Sequence, residues 1–142
     1  MGMNEKKFLY TISSIKRRAF AFLQAEMKKV GIEDIPPSYG DVLFAVKTKS
    51  GLGIKEICQV SNKDKSTVSL IVNNLEKTGY LVKEKDIVDG RSVKIRLSKK
   101  AEIQGEKMMA ISEKLNEKIY EGLSDEEKAI FFMLLKKIAV NI

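Results

Sequence analysis

Apolar side chains recur along this chain at two spacings, and the switch between them divides it. Phe8, Ile12, Ile15, Ala19, Phe22 or Leu23, Met27 and Val30 form one helical stripe, predicting a first helix from about 4 to 30 that ends near Gly31. Pro36 and Pro37 break the chain. Ser38 is then expected to cap a second helix, with Asp41 three residues on and Val42, Leu43 and Val46 on its buried side. Ile54, Ile57 and Cys58 mark a short amphipathic helix over 54–60. Val68, Ile71, Val72 and Leu75, at i, i+3, i+4 and i+7, mark another over 65–77. The pattern then turns extended at 81–87 and 93–97, around Asp89-Gly90, a dipeptide suited to the positive φ angles of a tight hairpin turn. Helical spacing returns behind Ser98, in Ala101, Met108, Ile111, Leu115 and Ile119, to about 121. Ser124-Asp125-Glu126-Glu127 opens a last helix whose apolar side is Ile130, Phe131, Leu134, Leu135, Ile138 and Ile142. Phe132 and Met133 widen that side unusually far.

The 65–77 helix has a second face with chemistry of its own. Opposite its apolar stripe stand Lys65, Ser66, Ser69, Leu70, Asn73 and Asn74, where a merely solvated face would carry Glu and Lys. Short hydroxyl and amide side chains can meet phosphates or base edges without a long flexible stem. Upstream, Ser61-Asn62-Lys63-Asp64 supplies a tight turn whose aspartate can cap the helix, giving a helix-turn-helix. Downstream, Gly79 suits a left-handed helix end and the basic hairpin follows at once. A helix-turn-helix followed by such a hairpin is a winged helix. The fold expected is therefore mostly α with a small β-hairpin wing. Arg91 at the hairpin tip, with Gly90 and Ser92 beside it, could enter a narrow minor groove.

Charge sharpens this picture. The 142 residues carry a net charge of +7, favouring an anionic partner. Residues 54–100 hold 11 basic and 6 acidic side chains, whereas 101–142 hold 6 and 8, so the excess sits on the helix-turn-helix and hairpin. With no histidine and one cysteine there is no zinc set and no internal disulfide, and no metal or other cofactor is expected. Cys58 reads as a small buried hydrophobe. No phosphate-binding glycine loop or nucleophile with a histidine partner points to an enzyme. No stretch has the length of a membrane span and the N-terminus lacks a signal-peptide core, which leads us to expect a cytoplasmic protein.

Ser66-Thr67-Val68-Ser69, Leu75-Glu76-Lys77-Thr78-Gly79-Tyr80-Leu81-Val82 and Asp86-Ile87-Val88-Asp89-Gly90-Arg91, ending at Leu97-Ser98, together resemble the MarR family of bacterial transcriptional regulators. The resemblance covers nearly the whole chain. It implies one winged helix-turn-helix unit over 1–142, with a DNA lobe at about 38–98 and dimerisation helices at about 4–31 and 99–142. Its implied DNA contacts are Lys63, Lys65, Ser66, Thr67, Ser69, Leu70, Asn73 and Asn74, then Asp89, Gly90, Arg91 and Ser92 in the wing, with Asp89 orienting Arg91. Positions 70 and 74 are often arginine in relatives. Here they are Leu70, which can lie on a thymine methyl, and Asn74, which suits adenine, so an A·T-rich operator is expected.

The long first stripe and the broad last one exceed what one small chain needs to cover. A homodimer is expected, through Phe8, Ile12, Ile15, Ile130, Phe131, Leu134, Leu135 and Ile138, although an intrachain bundle would also use a long stripe. MarR-like proteins are commonly repressors released by small phenolic or anionic effectors held between the lobes; Ile12, Tyr39 and Phe44 are the residues expected there. The competing reading is a winged-helix protein-interaction module that binds no DNA.

Overall fold

A computed structural model describes residues 4–85, 88, 90 and 92–142. A single 3₁₀ turn, Glu5–Lys7, leads into α1 (Phe8–Lys29), and a second, Pro37–Tyr39, leads into α2 (Gly40–Thr48). The expected Ser38 cap is not formed. Pro36 is extended and Pro37 starts the 3₁₀ turn, so α2 begins after Tyr39, with no side-chain cap. Val42, Leu43, Ala45 and Val46 of α2 are buried, while Phe44 faces out.

α3 (Ile54–Ser61) and α4 (Lys65–Lys77) form the helix-turn-helix. The turn passes through Asn62 at φ 54°, a left-handed conformation that asparagine tolerates better than most residues. Asp64 then closes the end of α4: its Oδ1 accepts from the Thr67 backbone N–H at 2.7 Å. The four stripe residues Val68, Ile71, Val72 and Leu75 are all buried. Gly79, at φ +83°, turns the chain out of α4, and a side chain there would be strained.

β1 (Leu81–Lys85) pairs antiparallel with β2 (Val93–Leu97), from Leu81 opposite Leu97 to Lys85 opposite Val93. An unbroken ladder into a two-residue turn at 89 and 90 would pair Lys85 with Lys94, so this register is one residue away from that expectation. Ile87, where the first strand was expected to end, lies outside the described residues, as do Asp86, Asp89 and Arg91. Leu52 bridges Ile95 from the other side of β2, with Ile95 N–H to Leu52 O at 2.8 Å. β2 is thereby held between β1 and the segment entering α3.

α5 (Lys99–Ile119) and α6 (Asp125–Val140) complete the chain, capped by Ser98 and Ser124, whose hydroxyls accept from the backbone N–H groups of Ala101 and Glu127. One core joins Met27 of α1 and Ile111 of α5 to the residues beneath the helix-turn-helix. A polar tie runs across the same junction. Tyr80, fully buried, donates to Asp34 Oδ1 at 2.7 Å, and Lys100 donates to Asp34 Oδ2 and to Thr78 O, both at 2.7 Å. The Lys100 ammonium also lies 4.6 Å from the centre of the Tyr80 ring, within cation–π range. Partial burial works to raise the Asp34 carboxyl. The hydrogen bonds from Lys100 and Tyr80 outweigh it and hold the group below its ordinary value. Burial first, then Asp34, pushes the Tyr80 phenol upward.

α6 is different: it has no buried residue. Ile130, Phe131, Phe132, Met133, Leu134 and Ile138 are exposed, and so are Phe8, Ile12 and Ile15 of α1; Leu135 is half-buried. Among the described residues, no helix is long and apolar enough to cross a membrane.

Candidate nucleic-acid interface

α4 turns a strip of mixed chemistry away from its buried stripe. Lys65, Ser66, Thr67, Leu70 and Asn73 are exposed, and Ser69 is half-buried. Leu70 stands 61% exposed in the middle of the strip, a large apolar side chain turned outward. The polar groups around it are already partly committed. The Ser66 hydroxyl donates to Asp64 Oδ1 at 2.8 Å, which leaves its oxygen free to accept. Asp64 is in turn held below the ordinary carboxylate range, by the Thr67 backbone hydrogen bond first and the Ser66 hydroxyl second. Lys63, half-buried, lies 3.6 Å from the Asp41 carboxylate.

The two asparagines were expected to face the same way, and they do not. Asn73 is exposed, and its Oδ1 accepts from Lys83 Nζ of β1 at 2.6 Å. Asn74 is half-buried and donates from Nδ2 to the Tyr39 hydroxyl at 2.7 Å, turning from the outer strip toward the start of α2. Position 74 lies at the edge of the helix face, and a hydroxyl thirty-five residues away in sequence is within reach; no periodicity signals such a contact.

In the wing, Val88, Gly90 and Ser92 are exposed, whereas the expected contacts Asp89 and Arg91 lie outside the described residues. Along the strands, base and acid are interleaved. Arg96 Nε donates to Glu84 at 2.7 Å, and Lys83 lies 3.7 Å from Glu76 of α4. The pair of Arg96 and Glu84, both exposed, contributes little stability.

A cleft of about 710 Å³ opens between α1, α2, the end of β2 and α5. Phe20, Leu23, Leu43, Phe44, Met108 and Met109 supply apolar wall, with Lys47 and Arg96 as cations and Asp41, Glu102 and Glu106 as acids. Of the three residues expected at an effector site, Phe44 lines this cleft, but Ile12 and Tyr39 do not. Ile12 lies farther toward the start of α1, exposed, and Tyr39 is engaged by Asn74. Phe20 and Met108 were missed: each sits on a legible helix, but that the two helices meet here is a fact of tertiary packing. Cys58 is half-buried against the core beside Ile54. Among the described residues, no three His, Cys, Asp or Glu side chains are grouped to hold a metal ion.

Comparison with known proteins places these features. The family model described as MarR family matches residues 33–92, from the approach to α2 through β1 and up to the start of β2. The HTH-type transcriptional regulator BilQ of Clostridium symbiosum is 25% identical over 94% of this chain and 91% of its own length. Among solved structures, S. aureus MepR in complex with DNA superposes with a TM-score of 0.86 at 20% identity, covering 95% of this chain and 98% of that one. PcaV from Streptomyces coelicolor, in complex with its natural ligand, gives 0.77 at 21% identity, covering 98% and 96%. The structural likenesses establish the winged-helix fold and its flanking helices; the family match falls on the segment that carries α2, the helix-turn-helix and β1. Residues 33–92 of this chain thus match the MarR family model, and its fold is that of solved MarR-family regulators.

Proposed function

We propose that this protein acts as a homodimeric repressor, setting the α4 helices of two subunits into successive major grooves of a pseudo-palindromic operator. The observation that carries the reading is the outer strip of α4: Lys65, Thr67, Leu70 and Asn73 exposed together on a helix whose other side is wholly buried. Thr67, Ser69, Leu70 and Asn73 would meet base edges, with Leu70 against a thymine methyl, and Lys63, Lys65 and Ser66 would meet phosphates. Asn74 would act indirectly, by fixing α4 to Tyr39. Gly90, Arg91 and Ser92 would reach the flanking minor groove, with Asp89 orienting Arg91. The dimer would close over Phe8, Ile12, Ile15, Ile130, Phe131, Leu134, Leu135 and Ile138, whose exposure in the single chain supports it.

An effector would sit in the cleft beside Phe44, its ring or chain against Phe20, Leu23 and Met108 and its anionic or phenolic group toward Lys47 or Arg96. It can act only by favouring one separation of the two α4 helices over another. PcaV, crystallised with its natural ligand, supports looking for one. Selection of bound sequences from random duplex DNA tests the whole reading. We expect an inverted repeat with half-sites about one helical turn apart, bound less tightly as salt rises. No binding at micromolar protein and low salt would favour the protein-interaction module instead.

A further inference from the structure

We propose that Lys83, on the wing strand and not on the recognition helix, sets which base Asn73 reads. This inference rests on the placement of α4 in the major groove. Lys83 Nζ donates to Asn73 Oδ1 at 2.6 Å and lies 3.7 Å from the carboxylate of Glu76, about one turn farther along α4. The lysine is therefore gripped by two side chains of one helix face. Its own backbone is held by the ladder, where Lys83 stands opposite Ile95, the residue that Leu52 bridges from the far side.

The chemistry of this contact has one orientation. An ammonium group offers three donors and no acceptor, so it can face the amide oxygen of asparagine and never the amide nitrogen. Because the amide is planar, holding Oδ1 toward Lys83 turns Nδ2 the other way. Asn73 then presents donors to a duplex and keeps its acceptor occupied. Guanine shows two acceptors in the major groove, N7 and O6, and thymine shows O4; both suit a donor. Adenine requires an acceptor for its N6 amino group as well as a donor for N7, and cytosine shows only a donor. The two-bond contact between asparagine and adenine is thus denied to Asn73 while Lys83 holds it. A base preference for guanine or thymine at this position follows, although asparagine by itself suits adenine.

Selection from random duplex DNA with the full chain and three variants tests this. Asn73→Ala identifies the position read, as the one whose base preference is lost. At that position the wild-type chain should select guanine or thymine. Lys83→Met should free the amide to turn, raising adenine relative to guanine by on the order of tenfold. Lys83→Arg keeps a cationic donor and should keep the wild-type preference. Adenine selected by the wild-type chain, no position sensitive to Asn73→Ala, or a Lys83→Met variant that binds all sequences uniformly more weakly would each overturn the inference while leaving DNA binding intact. A uniform loss is the mark of a phosphate contact. If the wild-type chain selects no DNA at all, the reading beneath it falls too.

Discussion

The helix-turn-helix half and the terminal helix spend their apolar residues in opposite ways. Val42, Ala45, Ile57, Val68, Val72, Leu75, Tyr80 and Ile95 have no exposed surface at all, whereas α6, with Ile130, Phe131, Phe132, Met133 and Leu134 in succession, has no buried residue. Burying one large apolar side chain is worth roughly 1.5–3 kcal/mol, so the first half is stabilised by its own chain and the second awaits something else. The contrast teaches that apolar content does not reveal where a core is. In α4 the stripe is narrow and its opposite face polar, as a helix lying on a core requires. In α6 the apolar side is too broad for a single neighbour. We read that breadth as a surface for a second copy.

Four substitutions test this contrast, in descending size of effect. Leu134→Asp in α6 should turn the proposed dimer into a monomer in light scattering at micromolar concentration. Operator affinity should then fall by about a thousandfold, toward the level of non-specific binding. An unchanged mass would mean that α6 is not the interface. Leu75→Ala, fully buried in α4, should lower unfolding free energy by about 3 kcal/mol in denaturant titrations. A loss as small as that of a surface change would show that the half beneath α4 is not close-packed. Arg91→Ala should weaken operator binding about tenfold, the worth of one charge-assisted hydrogen bond, with an unchanged thermal midpoint. If both fall together, the arginine is structural.

The smallest effect concerns the tie between the halves. Because the Asp34 carboxyl is held below its ordinary value in the folded chain, its ionised form favours folding above about pH 4, and that contribution fades as acid protonates it. Asp34→Asn should therefore cost no more than about 1 kcal/mol at neutral pH, since the pair with Lys100 is partly exposed to water. The gap between the thermal midpoints of variant and wild type should narrow steadily as the pH is lowered below the ordinary carboxylate range. A gap that persists in acid would assign the effect to the hydrogen bond with Tyr80 and not to charge.

What could be read from the sequence depended on whether the signal was periodic or pairwise. Val68, Ile71, Val72 and Leu75 announce their helix and its buried side by spacing alone, and Asp64, Ser98 and Ser124 announce helix starts by standing just before such spacing begins. The Leu52–Ile95 bridge has no such signal, because a lone bridge has no alternation to detect. Ser38 misled because its residue type suits a cap, but the prolines ahead of it impose a 3₁₀ turn. At the interface, the outward direction of Leu70 and Asn73 was legible, but the partners of Asn73 and Asn74 were not. Each is a single hydrogen bond between elements, and sequence spacing carries no information about it. The cleft was legible in Phe44 alone, since its walls come from helices at opposite ends of the chain.

In the proposed complex two α4 helices bind one duplex together. Sedimentation equilibrium of the chain on a selected operator duplex measures this directly. Two chains per duplex are expected, with no appreciable population at one; a complex containing a single chain, or no complex at micromolar concentrations, would contradict it.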